Sequence, residues 1–465
     1  MPDQRQITTI SRRRFLRQGL ATAAGFAGLS VFSSCRSAAQ YVQSVSTKYG
    51  FPVKDRLGIL NLPEGFSYRI ISRAGDRMSD GLVVPGLADG MAAFSGGSNQ
   101  TILVRNHEIN HNAGGNIGPF GNENELVSSD ILMAAFDAGF GSPCLGGTTT
   151  VVLNSGTLEV EREFLSLVGT VRNCAGGPTP WNSWITCEET DVRKDHRCEK
   201  DHGYAFDVRA SDDGQLQAAR PILPMGRFYR EAVAVHPATS IVYQTEDKED
   251  GLFYRYIPSN PDDLHAGGRT QALAIVDRPR TDTRNWNSMD VPREQKMPVE
   301  WIDIEDVHNP DNDLRYRGYS AGAARFARAE GIWYANDVIY FACTNGGLQK
   351  KGQIWKYYPS FNEGTAQESE APPAVELFIQ ADKPSIIENA DNLTVAPWGD
   401  LIVCEDGPGK QNLVGVTPAG SIYPFAENAV STSEFAGATF SPDGRVLFVN
   451  IQAEGLTFAI TGPWV

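Results

Sequence analysis

The chain has 465 residues, a formal net charge of −15, and 46 glycines and 27 prolines that together make about a sixth of it. That length excludes one small domain, and the turn-rich composition excludes a helical protein. The acidity excludes a surface that grips nucleic-acid backbones, and admits an anionic substrate only where bound cations invert the local field.

The N-terminus carries SRRRFLR (11–17), a mildly apolar run over 19–31 and SAA (37–39), which suits cleavage before Gln40. This resembles a twin-arginine export signal and implies export of a folded chain to the periplasm or beyond. A weaker lipoprotein reading rests on Cys35 within SSC (33–35). Residues 1–39 hold six arginines and one acid, so removing this net +5 takes −15 to −20. No later segment approaches eighteen unbroken apolar residues, so no further span is expected. Residues 40–465 then form one domain, expected to act as a monomer.

Turn-strand units follow at irregular intervals. The first is SGGSNQTILVRNHE (95–108), and PWNSWITCEE (180–189) and PWGDLIVCED (397–406) share one spacing. HPATSIVYQTED (236–247), ANDVIYFACTN (335–345) and SPDGRVLFVN (441–450) complete six units. Units of this kind, each too small to bury its own face, predict an all-β propeller of about six blades. Short helices are expected within 123–138 and 321–328, and a long polar loop over 277–313. Trp181, Trp184 and Trp398 are expected in the core. Apart from Cys35, six cysteines remain, and Cys187 and Cys198 can close a loop, although spacing leaves connectivity open.

Aligned by their turns, the units place Glu108, Glu188, Glu246 and Glu405 at matching strand ends. Carboxylates converging there repel one another unless cations neutralise them, so a metal cluster is expected. Oxygen ligands suit calcium, and a thiolate from Cys187 or Cys404 suits iron or another transition metal. His107 also stands at such an end. In an extended segment residues i and i+2 share a face, so Arg328 and Glu330 can present a guanidinium and a carboxylate to one ligand, the arrangement expected of a phosphate clamp. Asp391 stands just before a buried strand.

NCAGGPTPW (173–181) with WITCEE (184–189), REA (230–232) with TED (245–247), EGIWY (330–334), ENADNLTV (388–395), CEDG (404–407) and EFAG (434–437) with TFAITGPW (457–464) resemble the PhoX family of secreted bacterial alkaline phosphatases. The resemblance runs from about Asn106 to the C-terminus. It implies a propeller that hydrolyses phosphate monoesters with iron and calcium. Carried over, Cys187 is the iron ligand, Glu188, Glu246, Glu330, Asp391 and Glu405 or Asp406 share the metals, and Arg328 holds phosphate. Rival readings are a calcium-dependent lactonase or esterase on the same rim, and a non-catalytic propeller stabilised by calcium.

Overall fold

The apolar runs fold as strands because each concentrates Val, Ile, Phe and Tyr between turns rich in glycine, proline and asparagine. The computed structural model describes residues 47–381 and 387–465, so the expected export signal and Cys35 lie outside the described residues. Among the described residues five antiparallel sheets are formed, of three, four, four, five and ten strands. The ten-stranded sheet contains two meanders, which start from Arg230–Val235 and Ala329–Ala335 and join only through the pairs Met297–Val375 and Pro298–Ala374.

The arrangement is propeller-like. Six strands face one another around the middle: Ala88–Ser95, Asn173–Pro178, Arg230–Val235, Ala329–Ala335, Ala390–Val395 and Phe435–Phe440. Each touches the next in this order, and the last touches the first. The ring is tied at the chain ends, where Ser67–Arg73 pairs with Leu456–Thr461 and Leu60–Asn61 pairs with Ile422–Asn428.

The core fills the spaces between sheets. In the largest cluster Phe253 stacks on Phe341 at 4.5 Å, and Phe326 and Trp355 pack beside them. Burying each such ring is worth about 1.5–3 kcal/mol.

Three sequence expectations change. The region expected as a loop over 277–313 contains the strand Met297–Ile304, whose partly alternating face pairs with Gly268–Ile275. The helix expected over 321–328 lies earlier, at Leu314–Ala321. It ends where Gly322 takes φ 125°, and Arg325–Phe326 is a strand. Trp184 is buried as expected, whereas Trp181 is exposed and donates to Asp207 Oδ2 at 3.1 Å. The expected helix within 123–138 is Ser129–Ala134, capped by Ser128. No helix among the described residues is long and apolar enough to cross a membrane.

Candidate metal centre and oxyanion edge

All six inner strands begin alike. The residue before each strand accepts the amide N–H of the residue just past the second strand. The pairs are Leu87 with Glu108, Arg172 with Glu189, Tyr229 with Asp247, Arg328 with Thr344, Asn389 with Asp406, and Glu434 with Gln452, at 2.9–3.2 Å. Leu87, Arg172, Arg328 and Asn389 hold φ at 50–53°, a left-handed conformation that side chains adopt only where the surroundings impose it.

A bulge follows in every case. Bulges re-aim side chains, and the second residue here is Asp89, Cys174, Glu231, Glu330, Asp391 or Ala436. These groups and the residues past the second strands converge. Asp89, Glu108 and Cys174 offer ligand atoms within 4.8 Å of one another; so do Cys174, Glu189 and Glu231, and likewise Glu231, Glu330 and Asp391. Convergence requires close backbones. A Cβ on Gly90 would lie 2.6 Å from Ala175 Cα, and one on Gly331 would lie 2.8 Å from Asn392 Cα.

The backbone at Cys174 is held from behind. Asn106 Nδ2 donates to the carbonyls of Cys174 and Ala175 at 3.0 and 2.8 Å, and Trp184 Nε1 donates to Asn106 Oδ1 at 2.8 Å. Cys174 Sγ donates to Glu231 Oε1 at 3.2 Å, while Glu231 Oε2 is buried without a partner among the described residues. Gln452 Nε2 bridges Asp89 Oδ2 and Glu108 Oε2 at 2.6 and 2.9 Å.

Two arginines stand at the edge. Arg172 Nη2 reaches Glu108 Oε1 at 2.5 Å and Glu189 Oε2 at 2.6 Å, and its Nε is buried without a partner among the described residues. Arg328 grips Asp247 through Nε and Nη2 at 2.8 and 2.9 Å, and Nη2 also reaches Glu330 Oε1 at 2.8 Å.

Burial pushes Asp89, Glu189, Glu231, Glu330 and Asp391 above the usual carboxylate range, and neighbouring acids push further. Burial, then Asp89 and Glu231, does the same to the Cys174 thiol. Two guanidinium groups do not balance these six carboxyls, Asp247 and a thiol, so the excess stays protonated or is neutralised by cations. The donor set, an unpartnered carboxylate oxygen included, fits cations that take oxygen and sulfur together.

A model of the alkaline phosphatase PhoX family matches residues 47–135 and 146–455. The chain belongs to that family. A solved PhoX of Pseudomonas fluorescens, in complex with vanadate as a transition-state analogue, has a similar fold at TM-score 0.65 and 17% identity, covering 90% of this chain and 97% of that one. A Xanthomonas campestris gluconolactonase reaches TM-score 0.39 at 13% identity, covering 86% and 97%, and the Myceliophteria thermophila Cps50 propeller domain reaches 0.40 at 8%, covering 85% and 100%. No curated protein matches the sequence.

The cluster contains some of the residues expected from sequence and leaves others outside. Glu108, Glu330, Asp391 and Arg328 are brought together, and exposed Asp406 lies within the field of Arg328. Glu188, Glu246 and Glu405 are one residue out of register with Glu108: they pair across to Asn173, Arg230 and Ala390, positions matched by His107 in the first sheet. Their carboxylates serve the protein's own groups. Glu188 accepts from His202 and Val171, Glu246 from Tyr254 and Leu252, and Glu405 from Glu388 and Asn412.

Cys187, expected on iron, instead packs among Ile185, Val233 and Tyr256, where burial pushes its thiol up to about 12. Cys404 packs with Ile402, Leu413 and Phe425. The thiol among the carboxylates is Cys174. His107 bonds Gly86 O and Thr149, and burial keeps it neutral. Cys198 faces Cys144 rather than Cys187.

Sequence reasoning missed Asp89, Arg172, Cys174, Glu189 and Glu231. The available signal was a different repeat, LADGM (87–91), RNCAG (172–176), YREAV (229–233), RAEGI (328–332) and NADNL (389–393), with a ligand type at the third place and, in the first four, glycine or alanine after it.

Proposed function

We propose that this chain hydrolyses phosphate monoesters at alkaline pH, in a centre where Asp89, Glu108, Cys174, Glu189, Glu231, Glu330 and Asp391 hold iron and calcium. One observation carries the reading: a buried thiol and six carboxyls meet with two arginines beside them. The cations, when bound, supply Lewis-acid stabilisation to phosphoryl oxygens.

The protein's own groups do the rest. Asp247 and Glu330 fix the Arg328 fork, leaving Nη1 without a protein partner among the described residues, to take a phosphate oxygen. Arg172, held by Glu108 and Glu189, adds a second positive charge at the same edge. Preorganised donors of this kind favour the charge that develops on the equatorial oxygens. Cys174, its backbone fixed by Asn106, gives a sulfur ligand that selects iron over calcium.

The wider reading is six blades around one centre. The ten-stranded sheet counts as two, because each of its meanders starts with the same bulge and amide bond as the other blades. Residues 40–465 form the enzyme, a monomer delivered to the periplasm by the twin-arginine route under the signal at 1–39. The test is metal analysis with p-nitrophenyl phosphate turnover on the purified exported protein. Iron, calcium and turnover are expected together. Protein free of both metals, with no turnover after both are added, sinks the reading.

A further inference from the structure

We propose that Asp137, Cys144, Cys198 and His202 form a second metal site, separate from the central one, and that its ion is zinc. All four residues are buried, and their ligand atoms lie within 4.8 Å of one another. Three of the edges between these donor atoms are near those of a four-coordinate site. The sulfurs of Cys144 and Cys198 stand 3.7 Å apart, Cys144 Sγ is 4.0 Å from His202 Nε2, and His202 Nε2 is 3.2 Å from Asp137 Oδ2. Tetrahedral zinc, with Zn–S about 2.3 Å and Zn–N or Zn–O about 2.0–2.1 Å, has edges of about 3.8, 3.5 and 3.4 Å for these pairs.

The surroundings suit the assignment. His202 Nδ1 lies 2.6 Å from Glu188 Oε1, so Nδ1–H donates to a carboxylate while Nε2 faces the other three donors. A ligating histidine held through its far nitrogen by a carboxylate is the usual support for a zinc site. Two sulfurs exclude calcium, and one imidazole and one carboxylate complete a four-coordinate set with no open position. Binding releases to solvent the protons that the two thiols and His202 Nε2 hold without the ion.

The site fastens two connections. Asp137 and Cys144 lie between Ser129–Ala134 and Gly146–Asn154, and Cys198 and His202 lie between Ser183–Glu188 and Ala205–Arg209. Glu188 carries the effect inward. It accepts from the amides of Val171, Gly203 and Tyr204 at 2.9, 2.7 and 3.0 Å, and its chain neighbour Glu189 and that of Val171, Arg172, form the ion pair at the central site. Zinc is therefore a structural ion that holds Arg172 in place from behind.

Two alternatives use the same atoms: a Cys144–Cys198 disulfide, and an imidazolium shared by Asp137 and Glu188 with two idle thiols. Wild-type holoprotein, purified without chelator from zinc-supplemented medium, separates all three. Diffraction data above and below the zinc edge are expected to show a peak between the four residues. Mercurial titration of the thiols is expected to release about one zinc per chain, and Cys144→Ser/Cys198→Ser to lose that zinc while keeping the central metals. An intact mass that shows these two cysteines oxidised, or no zinc-edge peak at this position in wild-type crystals, overturns the proposal. The wild-type measurements decide even where the double variant fails to fold.

Discussion

Cys174 Sγ and Glu231 Oε1 are 3.2 Å apart, with the second Glu231 oxygen buried and unpartnered. Two adjacent inner strands thus present one thiol and one carboxylate to the same point. Cys174→Ser is expected to abolish iron binding and to lower p-nitrophenyl phosphate turnover by more than the 10- to 100-fold typical of lost outer-shell support. Cys187→Ser, in an apolar cluster, is expected to keep the metals and to lower stability instead. Iron content of the two variants, compared side by side, checks this.

Arg328 holds its fork against Asp247 and Glu330. Arg328→Ala is expected to weaken inhibition by inorganic phosphate by about 10- to 150-fold, the loss of a charged hydrogen bond worth about 1.5–3 kcal/mol. Calcium binding should change far less. Inhibition constants and calcium titrations of the same preparation read both; equal losses would make the residue structural.

Metal removal should change how stability depends on pH. Burial raises Asp89, Glu231 and Asp391 well above their usual values. A carboxyl raised in the folded state contributes stability fully below its unfolded value of about 4, and this is lost as pH climbs through the folded value. Chelated protein should therefore melt at steadily lower temperature from pH 5 to 9, and iron with calcium should restore most of the loss at pH 9. A flat melting profile for chelated protein contradicts the assignment.

Gly331 lies where two inner strands touch. In Gly331→Ala the new methyl meets Asn392 Cα and Asp391 O, both at 2.8 Å. Because these contacts are backbone, relief requires the strands to part, at a cost of about 1–3 kcal/mol. Expected results are a lower melting temperature and loss of metals shared by Glu330 and Asp391, measured by calorimetry and metal analysis.

Much of the architecture was legible because strand patterning is local. The runs ending at Glu108, Glu188, Glu246 and Glu405 are second strands, and they were recognised by turn and period alone. The centre was harder to read. Side chains alternate along a strand, so aligning Glu188 with Glu108 rather than with His107 exchanged the channel-facing position for its neighbour, and Glu189 was passed over. The inner strands are short, and a bulge interrupts their alternation at Asp89, Cys174 and Glu231, so no period of two marked these residues. Cys187 looked reactive beside two acids, yet its surroundings come from Val233 and Tyr256, far along the chain.

The six bulges also fix when the centre can exist. Its ligands come from strands spread between Ala88–Ser95 and Ala390–Val395, and Phe435–Phe440 must dock against the first of them before Asp89 is enclosed. Contacts so distant in sequence are late to form and costly to close. A partly made chain therefore has no partly formed cluster, and its groups meet only once both ends of the polypeptide have met.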